Sequence, residues 1–185
     1  MTDFEQFPWI LHKIKGISLQ RPFYRFMSMK YAKKPLSALG SSISGGRYNH
    51  IGTFEILYVA PDPQTSVEET ITNPSFLFPP KVMITIEVDL QRVLDFSDPE
   101  ILASLDVDNM KLSLPWRKKQ DIDQIEAYTQ TIGRLVYESN ILEGLLYPSA
   151  KVPGRYNLAI FPDLLLPGSS VKVYDPEGVL QETIE

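Results

Sequence analysis

Val82, Ile84, Ile86 and Val88 alternate with Met83, Thr85 and Glu87. Successive side chains of a strand point to opposite sides, so this period of two lines one face of a sheet with branched apolar residues. That face needs a core laid against it, and the rest of the chain has to supply the cover. Phe7, Ile10, Leu11 and Ile14 recur at helical spacing and predict a short helix ending at Gly16. Asp121 to Asn140 predicts the longest helix, with Ile125, Tyr128, Ile132, Leu135 and Val136 as its apolar stripe. Ser97-Asp98-Pro99-Glu100 caps another short one. Further strands are expected at 22–29, Glu55 to Ala60, Gly144 to Tyr147, Asn157 to Phe161 and Val171 to Tyr174, and a Lys-, Ser- and Gly-rich loop at 33–46. Several of these strands are neighbours in sequence, which favours an α+β arrangement over a doubly wound sheet. With no repeat or linker in 185 residues, one domain over 1–185 is expected.

Composition narrows the chemistry. The chain has no cysteine, which excludes disulfides, a thiol nucleophile and cysteine-bound zinc, and only two histidines, His12 and His50. No metal site is expected. No apolar run approaches the length of a membrane span, and Met1 to Trp9 is acidic without a basic region and apolar stretch behind it. A cytoplasmic protein without membrane contact is therefore expected. The formal net charge is −5, yet residues 1–47 hold eight Lys or Arg against Asp3 and Glu5. Such a protein is a poor candidate for direct nucleic-acid binding, which wants a basic face along a whole groove. A small anion near the basic quarter fits better.

Three local patterns carry chemistry. Pro61-Asp62-Pro63 precedes Thr65-Ser66-Val67-Glu68, so a helix opens here, with either Asp62 or Thr65 as its cap. Of the neighbours Glu68 and Glu69, about 100° apart on that helix, only one can face a given site. Arg25 sits mid-strand on the face of Phe23 and Met27, where a guanidinium must be paired or border a polar cleft. Ser41 to Arg47 contains Gly45-Gly46 but lacks the Walker lysine spacing, and no serine occupies a G-x-S-x-G elbow.

Taken in order, Phe23-Tyr24-Arg25-Phe26, Gly45-Gly46-Arg47-Tyr48-Asn49 with Gly52, Leu57-Tyr58-Val59-Ala60 and Glu69 resemble the RES domain, a family named for its Arg, Glu and Ser positions. Thr129 to Gly133, Tyr147-Pro148-Ser149-Ala150 and Asn157 to Phe161 continue the resemblance, which spans about residues 20–165. It departs at Tyr48, where the family usually has Trp, and at His50, where proline is commoner. The resemblance implies an ADP-ribosyltransferase-like α+β domain with a twisted, split sheet and flanking helices. It also implies a toxin-like enzyme that consumes NAD, paired with an Xre-type antitoxin protein that blocks the site. By position, Arg25, Glu69 and Ser149 match the catalytic set, and Arg25, Arg47, Tyr58, Ser149 and Asn157 the NAD-binding set. NAD would be the substrate, with no further cofactor.

The chemistry those residues could perform follows from their types. Breaking the nicotinamide–ribose bond develops positive charge on the ribosyl carbon, as in glycoside hydrolysis. A carboxylate such as Glu69 favours that charge, forked guanidinium groups suit the diphosphate, Tyr58 could flank the nicotinamide and the Ser149 hydroxyl could donate to ribose or phosphate. Water, phosphate or a protein side chain could accept the ADP-ribosyl group. The alternative is a non-catalytic protein of the same fold that binds a nucleotide or a partner without turnover.

Overall fold

The computed structural model describes residues 4–71 and 79–185. Its helices are α1 (Phe7–Leu11), α2 (Leu39–Ser44), α3 (Pro63–Thr70), α4 (Pro99–Ser104), α5 (Asn109–Leu112), α6 (Arg117–Asp121) and α7 (Tyr128–Glu138). The strands are β1 (Ile17–Ser28), β2 (Leu57–Val59), β3 (Lys81–Asp95), β4 (Gly144–Pro148), β5 (Tyr156–Ile160), β6 (Ser170–Val173) and β7 (Thr183–Ile184). This is a mixed α+β fold built on one curled sheet with helices flanking it.

The alternating segment is the spine of that sheet. It extends over 15 residues as β3, and Ile84, Ile86, Val88 and Leu90 are buried as the pattern requires. One edge of β3 pairs antiparallel with β1, from Ile17 opposite Val93 to Ser28 opposite Lys81. The other edge is shared. Ile86 to Asp89 pair with β6 antiparallel, and Val93 to Asp95 pair with β4 parallel. Between these two partners the register shifts, with Leu19 opposite Leu90 but Ile17 opposite Val93, so β3 carries one extra residue. The sheet splits at that bulge.

Glu143 holds the split open. Its fully buried carboxylate accepts the N–H groups of Gln91 and Arg92 through Oε2, each at 2.7 Å, and that of Leu166 through Oε1 at 3.0 Å. Two consecutive strand N–H groups aimed to one side would otherwise be orphaned inside the protein.

From β4 the sheet continues through β5 to β2, both pairings antiparallel. It then curls until the end of β2 meets β1 in a single bridge, in which Tyr24 and Ala60 exchange hydrogen bonds of 2.8 and 2.9 Å. Opposite residues of an antiparallel pair share a face. Leu57, Val59, Leu146, Leu158 and Ile160 therefore point into the curl, against Phe23, Ile84, Ile86 and Val88. The other face presents Tyr58, Ala159, Leu145, Tyr147 and Asn157. Over part of it packs a second core with Ile132 and Val136 of α7 and Phe7 and Leu11 of α1.

The structure revises several expected boundaries. The long helix is shorter than expected and starts only at Tyr128, because the chain from Ile122 to Ala127 is non-helical with Gln124 at φ 52°, and Ile125 is exposed instead of lying in the stripe. The N-terminal helix stops at Leu11, and the 33–46 loop contains α2. Asp62, not Thr65, caps α3. We expect Glu143→Ala to lower stability by about 3 kcal/mol or more, since three part-buried N–H groups lose their charged acceptor. Urea unfolding reads this directly, and a midpoint within error of the parent would show that the bulge does not need the carboxylate.

Candidate functional site

The site begins with how α3 docks. Pro63 occupies its first turn, and Asp62 Oδ1 accepts the Thr65 N–H at 2.8 Å while Oδ2 accepts the Thr65 hydroxyl at 2.8 Å. Beyond the Tyr24–Ala60 bridge, β1 has an open edge, and α3 saturates it with hydroxyls. Ser66 Oγ accepts the Phe26 N–H at 2.7 Å, and Thr70 Oγ1 lies 3.1 Å from the Phe26 carbonyl. A helix pinned at 66 and 70 has only one orientation. Glu69 then turns toward β4 and β5, half-buried, while Glu68 faces water.

There Glu69 meets two donors. Its Oε1 accepts the Ser149 hydroxyl at 2.6 Å and the Asn157 amide at 2.7 Å. Ser149 Oγ in turn accepts the Val152 N–H at 2.9 Å. Oε2 makes no hydrogen bond with a described residue. The carboxylate is thus fixed by one oxygen and presents the other to a cavity of about 480 Å³, within the usual size range of small-molecule sites.

Both candidate arginines line this cavity, and each is partly engaged. Arg25 Nη1 donates to the carbonyls of Pro35 at 2.7 Å and Ser37 at 2.9 Å. Arg47 Nη1 donates to those of Leu112 at 2.8 Å and Leu114 at 2.9 Å. Burial lowers the Arg25 pKa from its ordinary value, with the Glu182 charge acting in the opposite sense. Neither Nε nor Nη2 of either side chain bonds to a described residue. Each guanidinium therefore clamps a loop with one nitrogen and keeps further donors, so Arg25 is a strut as well as a possible ligand group. Arg117 and Lys151 add two more cations to the lining, against Glu69 as the only acidic residue there among the described residues. An acidic protein here encloses a cationic cleft.

Tyr58 also lines the cavity, but its hydroxyl is committed elsewhere. It donates to Asn49 Oδ1 at 2.9 Å and accepts the Tyr48 N–H at 2.9 Å, and burial drives its pKa well upward. Only the ring remains for a ligand. Gly46 is required by this contact, because a Cβ there would strike the Tyr58 hydroxyl, whereas Gly45 is required by its φ of 69°. The same turn is tied to α7 by the buried Gln130. Its amide nitrogen lies 3.0 Å from the Gly46 carbonyl and 2.9 Å from Gln120 Oε1.

Of the six residues expected from sequence, Arg25, Arg47, Tyr58, Glu69 and Asn157 line one cavity, and Ser149 grips Glu69 at its wall. Sequence reasoning missed Tyr147, Trp116, Arg117 and Lys151, which share that lining, and the Gln130–Gln120–Asn49 network behind it. Tyr147 and Gln130 stand inside blocks already singled out. Trp116 and Arg117 follow a proline in a segment with no periodicity, so nothing local flagged them. His12 and His50 are not among the lining residues.

The sequence profile of the RES domain matches residues 22–180. The chain belongs to the RES domain family. No functionally curated protein matches in sequence. Among solved structures, this RES domain is similar to a chain from "Crystal structure of the M.tuberculosis MbcT-MbcA toxin-antitoxin complex", with a TM-score of 0.71 at 20% identity. The match covers 94% of this chain and 92% of that one, so the two share their fold over nearly the whole length.

The Asp62 cap gives a pH-dependent prediction. Burial would raise the Asp62 pKa, but the Thr65 N–H and hydroxyl and the Arg155 charge outweigh it and hold the group below its ordinary value. A carboxylate lowered on folding stabilises the fold above its unfolded pKa of about 4 and loses that contribution as pH falls through the folded value. Asp62→Ala should cost about 1 kcal/mol at neutral pH, and the gap to the parent should close below about pH 4. Thermal melts of both proteins across that range test it.

A second prediction concerns Tyr48. Its ring is fully buried against Tyr147, with centroids 4.6 Å apart, yet its hydroxyl has no hydrogen-bond partner among the described residues. A buried polar group left unpaired costs about 1–3 kcal/mol. Tyr48→Phe should therefore raise the melting temperature, and a drop would mean that the hydroxyl is satisfied in solution.

Proposed function

We propose that this RES domain is a toxin-like enzyme that consumes cytoplasmic NAD by cleaving the nicotinamide–ribose bond, and that an Xre-type antitoxin protein holds it in check. The observation that carries this reading is the Glu69 carboxylate, anchored by Ser149 and Asn157 and facing a cavity rich in cations. As the glycosidic bond stretches, positive charge grows on the ribosyl carbon. A carboxylate already held in place stabilises that charge without first reorganising, which is where preorganised electrostatics are most effective. Ser149 and Asn157 act by orientation. With Oε1 engaged, Glu69 has no freedom to swing away, and Oε2 can face the sugar or one of its hydroxyls.

The diphosphate falls to the cations. Arg25 and Arg47 keep unengaged guanidinium donors while their Nη1 atoms hold the loops at 35–37 and 112–114. Arg117 and Lys151 extend the positive lining. Tyr58 offers its ring to flank the nicotinamide. Water or phosphate is the favoured acceptor of the ADP-ribosyl group, with transfer to a protein side chain as the third outcome. A toxin role is supported by family membership and by the fold shared with a chain of the MbcT–MbcA toxin–antitoxin complex.

The test is to incubate the purified protein with NAD and follow free nicotinamide, then add phosphate or candidate proteins to sort the acceptors. Glu69→Gln should lose turnover on the order of a hundredfold or more while NAD binding changes only a few-fold. The same substitution should relieve any growth arrest caused by expressing the parent in bacteria. Parental turnover by Glu69→Gln would remove the carboxylate from the mechanism, and no nicotinamide from the wild type would favour a non-catalytic binding protein.

A further inference from the structure

Tyr147 and Asn157 stand directly opposite each other on β4 and β5, on the face that borders the cavity. Both are more than nine-tenths buried, at 6% and 3% exposure. Each nevertheless has an unused polar atom. The Tyr147 hydroxyl makes no hydrogen bond with any described residue, although its ring is held by Tyr48 at 4.6 Å and edge-on by Tyr58 at 6.5 Å. Asn157 gives its amide nitrogen to Glu69, and its Oδ1 is buried without a donor among the described residues. Exchanging the amide's oxygen and nitrogen would not relieve this, because it would set oxygen against the Glu69 carboxylate.

A buried amide oxygen is rarely left unpaired, and here it stands beside a hydroxyl that also has no partner among the described residues. Side by side they offer one donor and one acceptor. We propose that Tyr147 and Asn157 form a recognition pair for a primary carboxamide, with the Tyr147 O–H donating to the carboxamide oxygen and Asn157 Oδ1 accepting from its NH2 group. This rests on the reading of NAD as substrate and adds the group by which the nicotinamide end is recognised. The placement is consistent with the chemistry, since the Asn157 side chain that would take the carboxamide N–H also holds Glu69 beside the scissile bond. Burial and the neighbouring Tyr58, Glu69 and Tyr48 keep the Tyr147 phenol protonated, so it remains a donor at any working pH. A carboxylate in place of the carboxamide would offer no N–H to Asn157 and would set a negative charge near Glu69. The pair thus selects the amide over the acid.

Saturation-transfer NMR with free nicotinamide and free nicotinate, on the wild type and on Tyr147→Phe, reads recognition without turnover. Wild type should bind nicotinamide at least tenfold more tightly than nicotinate. Tyr147→Phe should weaken nicotinamide about tenfold, leave ADP-ribose affinity unchanged and melt close to the parent. Where NAD is cleaved, the wild type should prefer NAD to its deamidated form, and Tyr147→Phe should narrow that preference through KM more than kcat. Equal binding of the two bases by the wild type, or no binding of nicotinamide, overturns the proposal and needs no variant. So does unchanged nicotinamide affinity in Tyr147→Phe. Tyr147-dependent nicotinamide binding without NAD cleavage would uphold the pair and reject the cleavage reading alone.

Discussion

Everything at the site hangs on the Glu143 carboxylate inside the fork of β3. A strand can offer one edge to two partners only where its own hydrogen bonding is interrupted, and the bulge at Gln91–Arg92 is that interruption. Buried N–H groups must be met, and here a single carboxylate oxygen meets both. By also taking the Leu166 N–H, Glu143 fixes where β4 starts and where the chain turns after β5. The β4–β5–β2 ribbon is thereby freed from β6 and can curl back to meet β1.

That curl makes one cleft from residues far apart in sequence. Tyr58, Asn157 and Tyr147 share a ribbon face, and Ser149 follows directly after β4. Glu69 comes from a helix that is docked on β1 by Ser66 and Thr70 and capped by Asp62. The Tyr24–Ala60 bridge is the hinge between these parts, since it joins the strand bearing Arg25 to the segment that leads into α3. Arg25 and Arg47 are then placed with their Nη1 atoms on loop carbonyls. A cation cluster without such acceptors would repel itself, so the clamps that hold the loops also lower the cost of gathering positive charge around one cavity.

How much of this could be read in the chain differs by element. β3 was legible because its alternation is local and strong, and so was a helix start at 62–65 because caps are short-range chemistry, though the choice of Asp62 over Thr65 was not. The late start of the longest predicted helix was not, since one residue with positive φ at Gln124 leaves little mark on the periodicity around it. Glu143 was invisible for a different reason. Its role depends on a bulge 51 residues earlier in the chain, and a lone glutamate before a strand looks like solvated surface. Arg25, Glu69 and Ser149 were legible through family resemblance, but the engagement of Arg25 with Pro35 and Ser37 was not, because backbone carbonyls carry no sequence signature.

The tyrosine at position 48 shows how one departure from a family pattern is absorbed. The resemblance noted in the sequence implies an indole at this place, and a phenol is smaller. Here the ring still closes the wall behind Tyr147, while its own N–H, not its hydroxyl, makes the useful contact by donating to Tyr58. The ring does the packing, and the polar end is left over. Close approach of α7 is possible only because Gly133 leaves room for the Tyr48 carbonyl. The aromatic and the glycine therefore act together: a side chain at 133 would push the Tyr48 backbone outward, shift the Tyr58 hydroxyl it binds, and open the wall against which Tyr147 is held.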